Sequence, residues 1–372
     1  MRWNDQYDKP SLFQRDFLEK RGCLETFNMK KKVVIAGNII LDIVKMIDVW
    51  PERGMLANVV EINRAVGGCV CNTGIDLKTM DKEVTVCAYG KVGEDEYGQW
   101  LLEFMKDKGV DVTNVKKTGG RCTASTDVMT VRSTGERTFF HVGGADEIFS
   151  YNDIDIDALD CDLFHLGYLL LLNSLDEECP EYGTKAAKLL HDVQEKGIKT
   201  SIDLVSDQNG RFAKLVPPAL KYCNYIVINE IEGGMLSGIS SRETNGALNF
   251  ENLEMICRKI MEMGVQDAVV IHSPEMSCSL DSKGVFTVLP SLSLPDGYIV
   301  GAVGAGDAFC AGMLYAFIND MDMSQGMRIA SCSAACNLAA RDSVGGAKSL
   351  EEILKIEKQY KRRILNVNQK TV

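Results

Sequence analysis

The sequence contains the stretch Gly301-Ala302-Val303-Gly304-Ala305-Gly306-Asp307, which runs directly into an apolar segment from 308 to 317. Its three glycines and two alanines leave the backbone nearly bare, and apolar residues follow at 309, 313, 314 and 317, the spacing of one buried helix face. The pattern predicts a loop that leads into a helix. Unpaired N–H groups and the positive end of the helix dipole meet there, so the loop is suited to bind an anion such as phosphate. Asp307 either caps this helix or takes part in the site.

The composition limits the classes of protein to consider. The chain has 372 residues, enough for one large α/β domain or two smaller ones, and its 25% charged and 45% hydrophobic residues are typical of a globular protein. Its net charge of −11 argues against a nucleic-acid partner, since nucleic-acid-binding surfaces need clustered lysine and arginine. No apolar run approaches the roughly 18 to 20 residues that span a bilayer, so we expect no membrane partner. The thirteen cysteines are scattered without a C-x-x-C pair, which argues against a zinc site or a disulfide framework and favours the cytoplasm.

Short apolar, often β-branched runs alternate with helical patterns through most of the chain. We expect strands near 33–38, 84–88, 162–167, 200–204, 225–229 and 269–271. This alternation predicts βαβ units and a mainly parallel sheet covered by helices on both faces. Two β-rich segments, at about 44–65 and 121–145, interrupt it and predict a small second sheet. We expect residues 1–28 to be a poorly ordered extension without a secretory signal, and residues 366–372 to be a C-terminal tail.

Several polar residues follow predicted strands or open predicted helices. Asp42 comes just after the first strand, and Asn229 and Glu232 come at the end of a later one. The pair Gly67-Gly68 precedes Asn72 at the start of a helix, where bare backbone lets a ligand approach closely. Because ligands in open α/β sheets bind at the carboxyl ends of the strands, we expect these residues to share one site with Asp307.

The motif Gly304-Ala305-Gly306-Asp307, followed by Ala-Phe, resembles the C-terminal signature of the ribokinase-like (PfkB) carbohydrate kinases. The other polar motifs occur in the order and at separations similar to those of that family, over about residues 33–350. The resemblance implies a ribokinase-like three-layer α/β/α fold over residues 29–365, with a β-sheet lid built from the two β-rich segments. It also implies ATP-dependent phosphorylation of a primary hydroxyl of a small sugar, as in ribokinases and fructokinases, by direct in-line transfer.

The resemblance implies a role for each residue that matches a family motif. Asp307 would be the catalytic base, and the phosphoryl group would be stabilised by Gly304, Ala305 and Gly306. The sugar hydroxyls would be bound by Asp42, Gly67, Gly68 and Asn72. The nucleotide would be contacted by Asn229, Asn337 and Gly346, while Glu232 would hold Mg²⁺ through water. The expected ligands are therefore ATP, Mg²⁺ and a small sugar, with a monovalent cation and a homodimer through the lid as further candidates.

Three departures from the family pattern keep alternatives open. Gly301 and Ala302 stand where the family has Asp and Thr, and Pro274 stands in a nucleotide loop that normally contains glycine. These departures support a catalytically silent sugar- or nucleotide-binding protein, whereas the retained Asp307 argues against it. A nucleoside kinase of the same fold is the other alternative, with Phe139 and Phe140 as candidate linings for a base. The sequence does not decide whether the phosphoryl acceptor is ribose, fructose, a keto-deoxy sugar acid or a nucleoside.

Overall fold

The computed structural model describes residues 30–206 and 210–365, so the expected N-terminal extension (1–28) and C-terminal tail (366–372) lie outside the described residues. The strands of the described part, in chain order, are β1 (Lys32–Gly37), β2 (Ile40–Ile47), β3 (Val59–Gly67), β4 (Thr85–Gly93), β5 (Asp111–Thr118), β6 (Ala124–Val131), β7 (Arg137–Val142), β8 (Leu163–Leu169), β9 (Glu178–Cys179), β10 (Gly183–Thr184), β11 (Lys199–Leu204), β12 (Tyr225–Asn229), β13 (Ala268–His272), β14 (Met276–Asp281) and β15 (Phe286–Pro290).

Nine of these strands form the central sheet, in the order β15-β14-β13-β12-β11-β8-β1-β4-β5. The seven strands from β13 to β5 are parallel, whereas β14 and β15 continue the sheet as an antiparallel edge. This edge was not predicted from the sequence. Its strands are only six and five residues long, too short for an alternation of apolar and polar residues to identify them. Pairing of β14 with β13 adds this edge to the sheet.

Helices cover both faces of this sheet, because alternate residues of its strands point to opposite sides. Val33 and Ile35 of β1 belong to one buried apolar cluster, and Val34 and Ala36 belong to the other. The helices are Cys69–Met80, Glu96–Asp107, Asn173–Asp176, Lys185–Glu195, Phe212–Leu220, Glu230–Ser237, Phe250–Glu262, Ala305–Ile318, Met323–Leu338 and Leu350–Gln359, with short 3₁₀ turns at Gly144–Ile148 and Tyr151–Asp153. The three-layer arrangement expected from the sequence is confirmed. In the part of the chain that is described, each helix is too short or too polar to cross a bilayer.

A second, four-stranded sheet in the order β3-β2-β6-β7 stands beside the central one, as the β-rich segments predicted. Its β2 begins at Ile40, and only two residues separate it from the end of β1. Asp42 therefore lies on this sheet rather than in a loop. The sharp change of direction uses Gly37, whose φ of +143° suits glycine and whose Cβ, if present, would overlap the Gly167 carbonyl oxygen. We call this four-stranded sheet the small sheet.

Candidate active site

A cavity of about 630 Å³ lies between the small sheet and the carboxyl ends of the central strands. Parallel strands end at one edge of a sheet, so side chains that are far apart in sequence meet there. The small sheet supplies Asp42, and the central strands supply Asp203 from β11 and Asn229 from the end of β12. The loop before the helix Ala305–Ile318 supplies the remaining wall. We call this cavity the first cavity.

Asp307 occupies the first turn of the helix Ala305–Ile318 and faces the first cavity. The N-cap of that helix is Gly304, with φ of +80°, where a Cβ would lie 2.4 Å from the Ser343 carbonyl oxygen. Glycine is therefore required for the loop to close against residue 343. The amides of the first helical turn and the positive end of the dipole then point toward the space beside the carboxylate, which suits an anion.

Three side chains donate hydrogen bonds to the Asp307 carboxylate. The Tyr168 hydroxyl lies 2.7 Å from Oδ1, the Asn72 amide nitrogen lies 3.0 Å from Oδ2, and the Thr73 hydroxyl lies 3.4 Å from Oδ1. Asn72 therefore contacts the expected base directly, in addition to lining the cavity. These bonds fix the orientation of the carboxylate and favour its charged form.

The pKa of Asp307 is raised to about 6, first by burial and then by the negative charge of Asp203, while its three hydrogen bonds hold it down. Burial likewise raises the pKa of Asp42 to about 7, with the charge of Asp307 adding to the shift and a hydrogen bond from Thr126 opposing it. A carboxylate with a pKa near 6 is deprotonated at neutral pH yet basic enough to accept a proton. The site thus has the electrostatics of a general base.

The residues expected to bind sugar hydroxyls surround the first cavity. Asp42, Gly67, Gly68 and Asn72 all line it. A Cβ at Gly67 would lie 2.8 Å from an Asp42 carboxylate oxygen, and Gly68 has φ of +82°, so side chains at these two positions would displace Asp42 or strain the turn. The structure therefore brings this group together around Asp307.

Asn229 and Glu232 form a capping box at the start of the helix Glu230–Ser237. The Asn229 side-chain oxygen accepts a bond of 2.8 Å from the Glu232 N–H, and the Glu232 carboxylate accepts one of 3.0 Å from the Asn229 N–H. The second carboxylate oxygen of Glu232 accepts a bond of 2.9 Å from Ser206. Burial raises the pKa of Glu232 to about 8, while its hydrogen bonds from Asn229 and Ser206 oppose the shift.

Glu232 and Asn229 supply oxygen donors at the wall of the first cavity, which is the donor type that Mg²⁺ prefers. Both Glu232 oxygens already accept hydrogen bonds from the protein, so a bridging water suits this carboxylate better than direct coordination. Mg²⁺ usually keeps several of its waters. The residues present therefore fit a hydrated magnesium ion.

A second cavity of about 490 Å³ lies on the other side of the Gly304–Gly306 loop and shares Asn229, His272 and Gly306 with the first. We call it the second cavity. Its walls are mainly apolar and include Pro274, Ile231, Leu292, Ile299 and Leu338. An apolar slot joined to an anion-binding loop suits a planar base with attached phosphates. Pro274 thus forms part of a cavity wall despite its departure from the family pattern.

Two residues expected to contact the nucleotide lie elsewhere. Asn337 and Gly346 are absent from the linings of both cavities. The Asn337 amide donates a bond of 2.6 Å to the Ser343 carbonyl oxygen, and a Cβ at Gly346 would lie 2.4 Å from the Asn337 backbone. Both residues serve the packing of the chain after the helix Met323–Leu338. Their position next to small residues in the sequence could not distinguish packing from ligand contact.

Sequence reasoning missed Tyr168, Thr73 and His272. Tyr168 lies near the carboxyl end of β8, which is a signal that could have been used, since such ends gather at the ligand edge of a sheet. His272 ends β13 and lines both cavities, and burial lowers its pKa to about 4, so it stays neutral at the junction. The bonds of Tyr168 and Thr73 to Asp307 join residues more than 130 positions apart, which no local pattern reveals.

Comparison with known proteins places this geometry in a family. Residues 30–348 match the family described as pfkB family carbohydrate kinase. A protein of Arabidopsis thaliana named probable fructokinase-6, chloroplastic, is 27% identical over 301 residues, which are 79% of this chain and 72% of that protein. The structure of Arabidopsis thaliana ribokinase complexed with ribose and ATP superposes with a TM-score of 0.72 at 21% identity, covering 88% of this chain and 99% of that one. The nucleoside kinase of Methanocaldococcus jannaschii gives a TM-score of 0.69 at 15% identity, with 89% and 99% covered.

The match covers the central sheet, the small sheet and the loop that carries Asp307. The family and the ribokinase-like fold expected from the Gly304–Asp307 motif are thereby confirmed. Members of the family are phosphotransferases that use ATP and act on carbohydrates. The chain belongs to the pfkB family of carbohydrate kinases.

Proposed function

We propose that the protein transfers the γ-phosphoryl group of ATP to a primary hydroxyl of a small sugar, with Asp307 as general base. The observation that carries the proposal is the position of the Asp307 carboxylate. It faces the first cavity from a helical turn in which Gly306 lines both cavities and Ala305 lines the second. A sugar in the first cavity and a nucleotide in the second would meet at this turn.

The chemistry follows from that placement. The sugar hydroxyl loses its proton to the Asp307 carboxylate as its oxygen forms a bond to the γ-phosphorus, and the bond from that phosphorus to the bridging oxygen breaks in line to release ADP. The amides of Ala305, Gly306 and Asp307 stabilise the charge that develops on the phosphoryl oxygens. Asp42, Gly67, Gly68 and Asn72 orient the sugar. Asn229 and Glu232 would hold Mg²⁺, which would supply positive charge to the phosphates.

We further propose that the small sheet acts as a lid. It carries Asp42, Thr126, Phe139 and His141 to the wall of the first cavity, so it encloses the sugar from the side opposite the central strands. Excluding water matters because water competes with the sugar as phosphoryl acceptor. In this proposal the lid and the central sheet belong to one kinase domain over residues 29–365.

The test is ADP release with Mg²⁺-ATP across a panel of sugars, sugar acids and nucleosides, with the native protein and Asp307→Asn compared. Removing the base lowers the rate by about 10² to 10⁴. Asp157→Asn, an exposed carboxylate away from both cavities, is the matched control and keeps full activity. Undiminished turnover in Asp307→Asn would contradict the mechanism.

One observation supports a nucleoside as the alternative acceptor. The Phe139 ring lies at the wall of the first cavity and is 56% exposed, which is the placement needed to stack on a base. Turnover of nucleosides alone in the panel would establish this alternative. Sugar binding without turnover of any compound would establish the silent binding protein instead.

A further inference from the structure

Behind the first cavity, three side chains with different donor atoms meet in the protein interior. His165 lies on β8, Asp203 lies on the neighbouring β11, and Cys310 lies on the helix Ala305–Ile318. Their residues are 0%, 6% and 2% exposed. One ligand atom from each, a ring nitrogen, a carboxylate oxygen and the sulfur, lies within 4.8 Å of the other two. We call this group the His–Asp–Cys cluster.

The His165–Asp203 distance in the His–Asp–Cys cluster is longer than that of a good hydrogen bond between nitrogen and oxygen. The Nε2 atom of His165 lies 3.4 Å from Oδ2 of Asp203 and 3.9 Å from Sγ of Cys310. Good hydrogen bonds between nitrogen and oxygen are about 2.7 to 3.2 Å long. A tetrahedral metal ion with bonds of about 2.0 to 2.3 Å holds its ligand atoms about 3.3 to 3.8 Å apart. The two His165 distances are therefore close to those between the ligand atoms of one tetrahedral ion, and the Asp203–Cys310 distance is within 4.8 Å.

A further side chain orients the histidine. The Ser201 hydroxyl lies 2.7 Å from Nδ1 of His165, so that nitrogen is engaged and Nε2 is the one presented to Asp203 and Cys310. Metal-binding histidines usually have such a partner on the other ring nitrogen, which fixes the tautomer and the ring plane. The arrangement leaves Nε2 available as a ligand atom.

The Asp203 carboxylate supplies a second, independent indication. The residue is buried, and its Oδ1 atom has no hydrogen-bond partner among the described residues, while its Oδ2 atom lies 3.4 Å from the His165 nitrogen. A buried carboxylate with so few donors around it is costly unless a cation compensates it. Asp203 and Cys310 also line the first cavity, so a ligand could enter and a fourth coordination position stays open toward the cavity.

We propose that the His–Asp–Cys cluster binds a divalent transition-metal ion of the zinc class, through Nε2 of His165, a carboxylate oxygen of Asp203 and Sγ of Cys310. The mixed nitrogen, oxygen and sulfur donors suit such an ion and are unsuited to Mg²⁺, which takes oxygen ligands. Binding releases the thiol proton to solvent and involves no change of oxidation state. The site is separate from the proposed magnesium position at Asn229 and Glu232.

The test is a titration of the reduced full chain with Co²⁺, followed by the visible and near-ultraviolet absorption of the thiolate–cobalt bond. We expect one equivalent of Co²⁺ to give a charge-transfer band, and Zn²⁺, which binds the same ligands more tightly, to remove it. Cys310→Ser should abolish the band. Cys332→Ala, which removes a buried thiol outside the cluster, is the matched control and should leave it unchanged.

Two further variants separate metal binding from a purely structural role. Ser201→Ala should keep the band but lower the affinity for Co²⁺ about 10- to 100-fold, since it removes the partner that orients the imidazole. Asp203→Asn has nearly the same shape and should lower the affinity at least as much. The metal-free melting temperature of each variant checks that it folds. No band at one equivalent, or an equal band in Cys310→Ser, would overturn the proposal, and neither result depends on kinase activity.

Discussion

The Tyr168 hydroxyl lies 2.7 Å from the Oδ1 atom of Asp307, which links the end of β8 to the first turn of the helix Ala305–Ile318. Burial and the nearby carboxylates raise the pKa of Tyr168 well above its ordinary value, so the phenol keeps its proton and donates it. The bond favours the charged form of Asp307 and lowers its pKa. Tyr168 therefore sets how basic Asp307 is.

The first prediction concerns the pH dependence of kcat/KM. The base must be deprotonated, so activity falls as the pH drops through about 6, the pKa of Asp307. In Tyr168→Phe the loss of a hydrogen bond to a charged group, about 1.5 kcal/mol, raises that pKa by roughly one unit. The acidic limb of the profile should move to higher pH by that amount, whereas Tyr182→Phe, remote from the cavity, should leave it in place. An unmoved limb in Tyr168→Phe would refute the role given to this bond.

The second prediction concerns stability and Glu232. The pKa of this buried carboxyl is raised from 4.5 to about 8, so the native state binds its proton more tightly than the unfolded chain does. The resulting contribution to the free energy of unfolding is full below about pH 4.5 and is lost as the pH rises through about 8. The melting temperature of the wild type should therefore fall relative to that of Glu232→Gln between these pH values, measured without nucleotide. If the melting temperatures of the wild type and Glu232→Gln change in parallel with pH, the prediction is wrong. Glu262→Gln, at an exposed site, is the control, and its melting temperature should change in parallel with that of the wild type.

The third prediction concerns Arg137, the first residue of β7 in the small sheet. A Cβ at Gly301 would lie 3.5 Å from a guanidinium nitrogen of Arg137. Gly301 is followed by Ala302, which lines the second cavity, and by Val303, which lines the first. The guanidinium, which is not part of either lining, therefore lies beside a chain segment that borders both cavities, and arginine is well suited to bind phosphate.

We therefore expect Arg137→Met to raise the KM for ATP about 10- to 100-fold, which corresponds to the loss of about 1.5 to 3 kcal/mol from a charged hydrogen bond. Steady-state kinetics with varied ATP and saturating sugar measure it. Arg132→Met, which removes an exposed arginine just after β6, is the control and should leave the KM for ATP unchanged. A normal KM for ATP in Arg137→Met would rule out a contact with the phosphates.

The fourth prediction concerns oligomeric state. The face of the small sheet that points away from the first cavity carries Ile62, Phe140 and Val142, which are 61%, 52% and 50% exposed. Ile62 lies on β3 and the other two lie on β7, so both edge strands of the small sheet carry exposed apolar side chains, which favours burial against a second chain. We expect a homodimer that sedimentation velocity resolves, and conversion to a monomer by Phe140→Asp. Val285→Asp, at an exposed position between β14 and β15, should stay dimeric, and a monomeric wild type would contradict the prediction.

Much of the fold was predictable because its signals are local. The β-branched run at 33–37 and the helical spacing after Asp307 each depend on neighbouring residues, and both elements form as expected. The bare backbone of Gly304 to Gly306 likewise predicted an anion-binding turn, and Asp42, Gly68 and Asn72 lie around one cavity with Asp307.

Other features depend on contacts between distant segments. Asn337 and Gly346 follow a recognisable pattern, but their contacts are with Ser343 and with each other, and these depend on how the chain folds back after its helix. The position of Asp42 on a strand of the lid depends on pairing with β3 and β6 rather than on its own neighbours. Pairing between distant segments is decided by the whole sheet.

The family and the alternation of strands and helices could be predicted from the sequence alone, because both are encoded in short-range spacing. The sequence also argued against a zinc site, since it contains no paired cysteines at metal-binding spacing. Only the tertiary structure brought His165, Asp203 and Cys310 within 4.8 Å and set Tyr168 on Asp307. These contacts join parts of the chain that the central sheet makes neighbours, so burial, hydrogen bonding and charge at the site depend on the fold as a whole.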